Sequence, residues 1–517
     1  MEFNTLIELL EYRAGFSGNK TAFTFQGQPT SYQNLWLNIN WFAAVLLDIE
    51  IKNADRVIIV LPNGGDFFSA FYGTQRAGGI AVPLFPESNI ERIVSIAESC
   101  AAKIIVLPEG SLKINELKAK GFIVLESASL LAAQNQVSIS LIFPQIQPND
   151  IAFLQYTSGS TGNPKGVMLT HANLLTNARQ MIEGMQITEQ DIFVSWLPAY
   201  HDMGLIIMTM IPFYLGVETH LLPADLRSVR DWFKTIHATH GTFTAAPDFA
   251  FRLCLRHADT LRKYDITSLR VALNAAEPVR AATITGFESA FGLANVVAAG
   301  YGLAEATVGV SMWTPLTPKR VDAKGLVSVG HPFPRVEVKI DADGEILIKS
   351  PANSRGYFNN AEATKELFAG DGYIRSGDLG YLDDEGCLYI VGRKKNIIKH
   401  AGETIAPQEI EETVDAIDGV RYSAAVGIDR GRMEGEQAYV FVEVGRKDDV
   451  SEWGYDLTLQ IVQAIHARMG VRPARVYLVS QRTIPKTHNG KIQHVQLREL
   501  YLNGSLREQG KILYPEY

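Results

Sequence analysis

Cysteine is scarce. The 517 residues include only Cys100, Cys254 and Cys387, far apart and without the close spacing a metal site needs. A disulfide scaffold and a cysteine-based zinc site are both excluded, and the three thiols read as reduced and mostly buried. Long apolar runs are also missing. The longest, Leu205 to Val217, is interrupted by Pro212 and falls short of the roughly 20 residues that span a bilayer. No integral membrane segment is expected, although a peripheral membrane contact stays open. Basic charge is not in excess either. A net charge of −8 argues against nucleic acid as a partner, because phosphate backbones call for a basic face. The opening Met1-Glu2-Phe3-Asn4 has neither the basic start nor the cleavage site of a secretory signal, so a cytoplasmic protein is expected. There is no fixed-period repeat and no low-complexity tract.

What is present is ordinary globular composition, 46% hydrophobic and 20% charged, on a chain long enough for two or more domains with sizeable cores. Ala22-Phe23-Thr24-Phe25 and Gln28 to Tyr32 flank Gly27 as a small hairpin would, and Ser31 caps a helix running through Trp41-Phe42-Ala43. Apolar strands follow at Val57–Leu61, Ile80–Leu84 and Ile104–Leu107, separated by helical stretches, and again at Phe193–Leu197 and Leu269–Leu273. Strands apolar on both faces and alternating with helices predict a parallel sheet covered on each side. After about residue 320 the texture changes to short strands split by Asp/Gly turns: Val336–Ile340, Gly344–Ile348 and Gly386–Val391. The polar, basic Gly392-Arg393-Lys394-Lys395-Asn396 reads as a linker. Beyond it, Pro407-Gln408-Glu409 opens a helix with proline and acid in its first turn, and strands follow at 424–427 and 438–442. The expected fold is α/β. A large N-terminal domain (1–393) of parallel α/β sheets with a small β subdomain precedes a small α+β C-terminal domain (394–517).

The chain is organised around one stretch, Leu154-Gln155-Tyr156-Thr157-Ser158-Gly159-Ser160-Thr161-Gly162-Asn163-Pro164-Lys165-Gly166-Val167. An apolar strand, Ile151 to Leu154, runs into hydroxyls, glycines and one lysine. Glycine lets backbone N–H groups turn toward a single point, and the hydroxyls of Thr157, Ser158, Ser160 and Thr161 and the ammonium of Lys165 add donors. Such a loop can wrap a polyphosphate. It is not a Walker A loop, because Pro164 precedes the lysine and Gly166 follows it. A plain polar turn would need far fewer donors.

This stretch resembles the phosphate loop of the acyl-adenylate-forming superfamily, which includes acyl-CoA synthetases, fatty acyl-AMP ligases, luciferases and peptide-synthetase adenylation domains. The flanking Leu154-Gln155-Tyr156 and Met168-Leu169-Thr170-His171 are most similar to the fatty acyl-AMP ligase branch. The resemblance extends over essentially the whole chain and implies the same two-domain split, with a mobile C-terminal domain that rotates about Lys395.

Four further segments carry the resemblance. Trp196-Leu197-Pro198-Ala199-Tyr200-His201-Asp202-Met203-Gly204 is similar to the acyl-site motif, in which the histidine borders the carboxylate; a lone satisfied structural histidine is the alternative. Asn274-Ala275-Ala276-Glu277-Pro278 and Gly300-Tyr301-Gly302-Leu303-Ala304-Glu305 resemble the nucleotide segments. Small residues would let the base lie on the backbone, Tyr301 would stack on it, and Glu305 would hold Mg²⁺ bridging the phosphates. Many relatives have threonine where Ala304 stands, so no role is assigned to Ala304. In Tyr373-Ile374-Arg375-Ser376-Gly377-Asp378 the resemblance gives Asp378 to the ribose hydroxyls, against a turn aspartate otherwise. Arg393 matches an arginine at the ribose or phosphate. Ile484-Pro485-Lys486-Thr487-His488-Asn489-Gly490-Lys491 resembles the catalytic-lysine motif, in which an ammonium steadies the charge building at the α-phosphate.

The expected function is ATP- and Mg²⁺-dependent activation of a carboxylic acid to acyl-AMP with release of pyrophosphate, followed by transfer to the phosphopantetheine thiol of coenzyme A or an acyl carrier protein. Lys491, His201 and Lys165 are the catalytic candidates. Thr157, Ser158, Gly159, Ser160, Thr161, Gly162, Ala275, Ala276, Glu277, Gly300, Tyr301, Gly302, Asp378 and Arg393 are the nucleotide candidates, and Glu305 is the metal candidate. The apolar Ala245, Ala246 and Phe249 are the pocket candidates and favour a fatty or other apolar acid. Three alternatives stay open: a ligase that stops at the adenylate, an adenylate-binding protein without turnover, and a phosphotransferase releasing ADP. The thioester reading follows from two features. The turn Ala369-Gly370-Asp371-Gly372 is too short for the extra segment that fatty acyl-AMP ligases carry there, and the stretch His400 to Glu411 resembles the thioester-forming members, in which a glycine at the position of Gly402 leaves room for a pantetheine arm. The chain ends at Tyr517 with no fused carrier, so the acceptor is expected to come from outside.

Overall fold

The computed structural model describes residues 2–127, 142–157, 164–225, 229–400, 403–429, 431, 436–445, 450–486 and 492–515. The chain forms two compact units. The first comprises Met1–Lys339, Leu347–Ser376 and Leu382–Tyr389, and the second Ile340–Ile346, Gly377–Tyr381 and Ile390–Tyr517.

Among the described residues, two sheets lie wholly within the first unit. In one, six strands lie in the order Ile123–Glu126, Ile104–Leu107, Arg56–Ile59, Ile80–Pro83, Ile151–Thr157, Lys165–Thr170. Pairing is parallel up to the last pair, which is antiparallel. Its strands are apolar on both faces because helices cover both, as parallel sheets require. Ile58, Val82, Ile105 and Leu154 fall in one buried cluster with Ile93, Ile96 and Leu117 from flanking helices. The other sheet has nine strands. Its centre is the parallel series Val297–Tyr301, Val271–Asn274, Phe243–Ala246, Phe193–Ser195, Thr219–Leu221 and Thr21–Phe25. The expected hairpin lies at its edge, with Thr21–Phe25 antiparallel to Gln28–Ser31 and Gly27 turning at φ 80°. Ser31 caps the helix Tyr32–Asp48 by accepting from the Asn34 N–H, as its hydroxyl predicts.

The apolar run from Leu205 is not one continuous α-helix. Met203–Met210 winds as a π-helix that continues into the short α-helix Ile211–Leu215. No helix among the described residues is long and apolar enough to cross a membrane. All three cysteines are buried and unpaired.

The second unit holds a four-stranded sheet, Val420–Asp429, Glu436–Val444, Arg475–Val479, Ile512–Tyr514. Strand alternation is visible in its core. Ala438, Val440, Val442 and Val444 pack on one face with Leu457, Ile461 and Ile465 of the helix Val450–Met469. Tyr439 and Phe441 point to the other face and meet Leu497 and Tyr501 of the helix His494–Leu502. The period of two sends neighbours to opposite sides, and a helix covers each.

One buried histidine ties the N-terminus into the first unit. Nδ1 of His171 accepts from the Leu6 N–H at 3.2 Å. Full burial pushes its pKa from 6.5 to about 3, so the native state holds it neutral. The unfolded chain takes up the proton below about pH 6.5, and stability therefore falls as pH drops below that value, approaching about 1.4 kcal/mol per pH unit. His171→Asn keeps an acceptor for Leu6 but cannot titrate. Its urea midpoint is expected to be lower than wild type at pH 7.5 and to fall less on going to pH 5.

Candidate active site

Parallel strands release their following loops at the same edge, and this one assembles most of the predicted segments. Ala246 is in register with Asn274, and Asn274 with Ala299. The loops beginning at Pro247, Ala275 and Gly302 thus leave the carboxyl edge side by side, where open α/β sheets bind ligands. Trp196 to His201 follows the neighbouring parallel strand Phe193–Ser195.

Backbone geometry explains the small residues. Ala276 sits in the left-handed region at φ 67°, a conformation that costs any residue with a Cβ. A Cβ on Gly300 would lie 2.7 Å from Leu273 Cδ1, and one on Gly302 only 1.6 Å from the Val308 carbonyl oxygen. The fold itself therefore requires glycine at 302. Ala275 is buried, and Tyr301 ends its strand half-exposed.

A charged residue that sequence reasoning passed over braces this edge. Asp248 is 1% exposed. Its Oδ1 accepts from Asn274 Nδ2 at 3.1 Å and from the Arg280 N–H at 3.3 Å, and its Oδ2 lies 3.1 Å from Arg252 Nε. Glu277 reaches back in turn, its Oε2 accepting from the Phe249 N–H at 3.0 Å. The nucleotide candidates thus lean directly on the pocket candidates. Ala245 and Ala246 are fully buried, and the half-buried Phe249 ring lies 6.3 Å from that of Trp196.

The phosphate-loop residues Ser158, Gly159, Ser160, Thr161 and Gly162 lie outside the described residues, but both flanks are firm. Thr157 ends one strand and pairs in register with Lys165, which begins the next. A Cβ on Gly166 would press on the Tyr156 ring at 3.0 Å. The second strand runs into the helix His171–Gly184 through a Thr170/Asn173 capping box.

Lys165 and Glu305 converge on Tyr357. The Lys165 ammonium lies 5.0 Å from the centre of the Tyr357 ring, and the Tyr357 hydroxyl donates to Glu305 Oε1 at 2.7 Å. The backbone locks this in place. Met168 N–H donates to the Gly356 carbonyl at 2.9 Å, Phe358 N–H to Gly166 at 2.8 Å, and Ser354 N–H to Glu305 at 2.8 Å. Tyr357 carried no motif signal, because its partners are 192 and 52 residues away in sequence. A carboxylate with one bond made retains lone pairs for a metal. Mg²⁺ needs few protein ligands, since it keeps waters and phosphate oxygens. The donor set fits that ion.

His201 is half-buried in the turn before the π-helix, its Nδ1 2.8 Å from Asp202 Oδ1. In the second unit, Asp378 is buried within the strand Tyr373–Leu382 rather than in a turn, and Arg393 Nε lies 2.8 Å from its Oδ1. Glu345, which sequence reasoning also missed, accepts from the Gly377 N–H at 3.1 Å and pairs with Lys394 Nζ at 3.0 Å. Lys491 and Gly402 lie outside the described residues.

Small residues at a carboxyl edge, and a lysine and a hard carboxylate that share Tyr357, suit a nucleotide-activating enzyme. The chain belongs to the family of AMP-binding enzymes, whose model matches residues 10–358. It is 30% identical to the medium-chain-fatty-acid–[acyl-carrier-protein] ligase JamA of Moorena producens, over 98% of this chain and 96% of that one. It is 29% identical to the long-chain-fatty-acid–AMP ligase FadD32 of Mycolicibacterium smegmatis, again over 98% and 96%. Among solved structures it is similar to McyG A-PCP complexed with phenylalanyl-adenylate, with TM-score 0.89, 26% identity and 98% and 84% coverage. It is also similar to a fatty acyl-adenylate ligase from a study of the E. coli and L. pneumophila enzymes, with TM-score 0.88, 27% identity and 98% and 99% coverage.

Tyr357→Phe removes the hydroxyl from Glu305 but keeps the ring under Lys165. The expected effect is a rise of about 10- to 10²-fold in the Mg²⁺ concentration needed for half-maximal pyrophosphate release, in keeping with one lost charge-assisted hydrogen bond of about 1.5–3 kcal/mol. Titration of MgCl₂ at saturating ATP checks it.

Proposed function

We propose that this enzyme activates a fatty or other apolar carboxylic acid to its acyl-adenylate and passes it to the thiol of a phosphopantetheine arm. The convergence of Lys165 and Glu305 on Tyr357 carries the reading, because an ammonium and a hard carboxylate sharing one partner suit the neutralisation of a Mg²⁺-bound polyphosphate. Thr157 to Gly162 and Lys165 hold the leaving phosphates, with Glu305 on Mg²⁺. Ala275, Ala276, Glu277, Gly300, Tyr301 and Gly302 take the base, and Asp378 and Arg393 the ribose. His201 borders the reacting carboxylate, and Lys491 steadies the charge at the α-phosphate. Positioning and charge neutralisation supply most of the catalysis, since phosphoryl chemistry asks for little else. Residues 1–393 act as the adenylation core and 394–517 as a mobile domain that delivers Lys491 and later admits the thiol.

The buried, apolar Ala245 and Ala246 favour a fatty acid, as do relatives named for medium- and long-chain fatty acids. Thioester formation is favoured by the hairpin ahead of Asp378. Gly370 pairs with Tyr373 across Asp371 and Gly372, both at positive φ, the geometry of a tight two-residue turn. Nothing is inserted there to restrain a moving domain. A carrier protein is the preferred acceptor, in line with the ligase-like first half of the sequence and with JamA.

The test supplies acid, Mg·ATP and either coenzyme A or phosphopantetheinylated carriers, and follows products by mass spectrometry. A thioester with AMP and pyrophosphate is expected. Acyl-AMP accumulating with no thioester on any acceptor defeats the second step, and ADP as product defeats the first. Lys491→Ala is expected to slow adenylation by about 10²–10³-fold while sparing transfer from preformed acyl-AMP. Asp378→Ala should chiefly weaken nucleotide binding, seen by calorimetry, because ribose hydroxyls lose their acceptor.

A further inference from the structure

Basic charge is concentrated near the end of this acidic chain. From Arg468 to Lys511 there are nine lysines and arginines and only two glutamates, whereas the whole chain carries −8. Folding brings part of that stretch to one end of the four-stranded sheet in the second unit, where Tyr422, Glu443 and Val479 stand in one row. Arg421 Nη1 donates to Gln481 Oε1 at 2.5 Å, which ties the strand Val420–Asp429 to the turn that carries Arg482. The Lys486 ammonium and the Arg421 guanidinium both lie by the Tyr422 ring, 3.1 and 5.8 Å from its centre. Lys511 joins them through the backbone. Its carbonyl accepts from the Ser480 N–H and its own N–H donates to the Leu506 carbonyl, each at 2.9 Å.

Ordinary surface pairing does not explain the group. Arg468 and Arg498, in the same stretch, meet Glu412 at 3.5 Å and Glu436 at 3.6 Å. Arg421, Arg482 and Lys511 have no ion pair among the described residues, and Arg421 and Arg482 are exposed. The acids of the neighbouring elements are taken up locally. Glu443 is buried and accepts from the Ile484 N–H at 3.0 Å, Asp415 accepts from Ser423 at 2.7 Å, and Asp418 from the Gly419 N–H at 3.0 Å. Like charges left side by side repel and cost the folded state. Arg482 adds a backbone cost, since it stands in the left-handed region at φ 63°, where glycine sits more easily. Cations kept together against both costs suit a partner of opposite sign.

We propose that this end of the sheet is the docking surface for the acidic face of the carrier protein that supplies the phosphopantetheine thiol. It depends on the reading above, in which a carrier receives the acyl group. Two observations favour a protein face over the nucleotide of coenzyme A. First, the cations come from separate elements: Arg421 from a strand, Arg482 and Lys486 from the segment after Arg475–Val479, and Lys511 from the approach to Ile512–Tyr514. Spread in this way they match an extended acidic surface, whereas a phosphate is gripped by donors converging on one point. Second, the Tyr422 ring holds Lys486 and packs on the cluster of Phe441, Tyr477 and Leu497, so it is not open to stack an adenine. Opposite charges across such an interface act mainly on the rate of encounter, by about 10- to 10³-fold, and are screened by salt.

The experiment uses the full-length protein and three thiol acceptors: a phosphopantetheinylated carrier that the wild type loads, coenzyme A, and pantetheine, which has neither protein nor nucleotide. The double variant Arg421→Glu with Arg482→Glu is expected to lower kcat/KM for the carrier on the order of 10- to 10²-fold, chiefly through KM, and to flatten its decline as NaCl is raised. Pyrophosphate release and transfer to pantetheine and coenzyme A should stay at the wild-type level. Arg482→Gly is the second variant. It relieves the backbone cost, so its urea midpoint should not fall, yet its KM for the carrier should rise. A carrier KM unchanged in both variants overturns the proposal. So does a KM for coenzyme A that rises as much as that for the carrier, which gives the surface to nucleotide phosphates. Pyrophosphate release that falls in step with transfer also overturns it, because the arginines are then structural. The wild type separates the two readings. If it loads no acceptor, the thioester reading fails and the docking surface with it. If it loads only coenzyme A, or loads a carrier no better than the variants do, the docking surface alone fails.

Discussion

Parallel pairing of Phe243–Ala246, Val271–Asn274 and Val297–Tyr301 is the constraint on which the site depends. Three strands running the same way, with Ala246, Asn274 and Ala299 in one row, must discharge their loops at one edge. The edge is expensive to build, because it concentrates loop backbone and buried polar groups. Asp248 answers that problem. It carries a full charge at 1% exposure and is matched by Arg252, Asn274 and Arg280. Buried pairs of this kind contribute little net stability but fix geometry, because removing either partner strands a charge. Here they fix the spacing between the pocket segment and the nucleotide segment.

Tyr357 does comparable work for Lys165 and Glu305. A lysine and a glutamate close together would pair with each other and present little charge to a ligand. Tyr357 offers its ring face to Lys165 and its hydroxyl to Glu305, so each has its own partner. The ring attracts a cation through its quadrupole, which is weaker than a carboxylate. Lys165 can therefore turn to a stronger anionic partner at small cost.

In the C-terminal unit the governing feature is a sheet buried on both sides. Its alternating faces take one helix each, which makes it a rigid support for a loop that must be placed accurately. Glu443 reaches the Ile484 N–H from that sheet, and Glu411 reaches His494 from the helix Pro407–Asp415. A functional loop on a stiff scaffold is a common arrangement, since loops supply reach and sheets supply accuracy.

Local sequence determined a good deal. The hydroxyl cap at Ser31, the hairpin at Gly27, the doubly apolar strands and the Pro407 helix start are short-range signals, and the structure places each where the sequence put it. The same holds for the tight turn at Asp371-Gly372, whereas the strand read over Ile151–Leu154 runs on to Thr157. Other features had no local signal. The strand Lys165–Thr170 returns antiparallel beside Ile151–Thr157, and Asp378 lies within a ten-residue strand, because pairing partners, not propensity, settle such segments. Asp248, Tyr357, Glu345 and His494 belong to ordinary-looking stretches. Their meaning comes from partners brought near by folding: Asn274 to Asp248, Glu305 to Tyr357, Gly377 to Glu345, and Glu411, 83 residues away, to His494. Sequence determined which groups were available and how each short segment would bend. Tertiary structure decided which of them meet, because electrostatic and hydrogen-bond energies depend on distance in space and not along the chain.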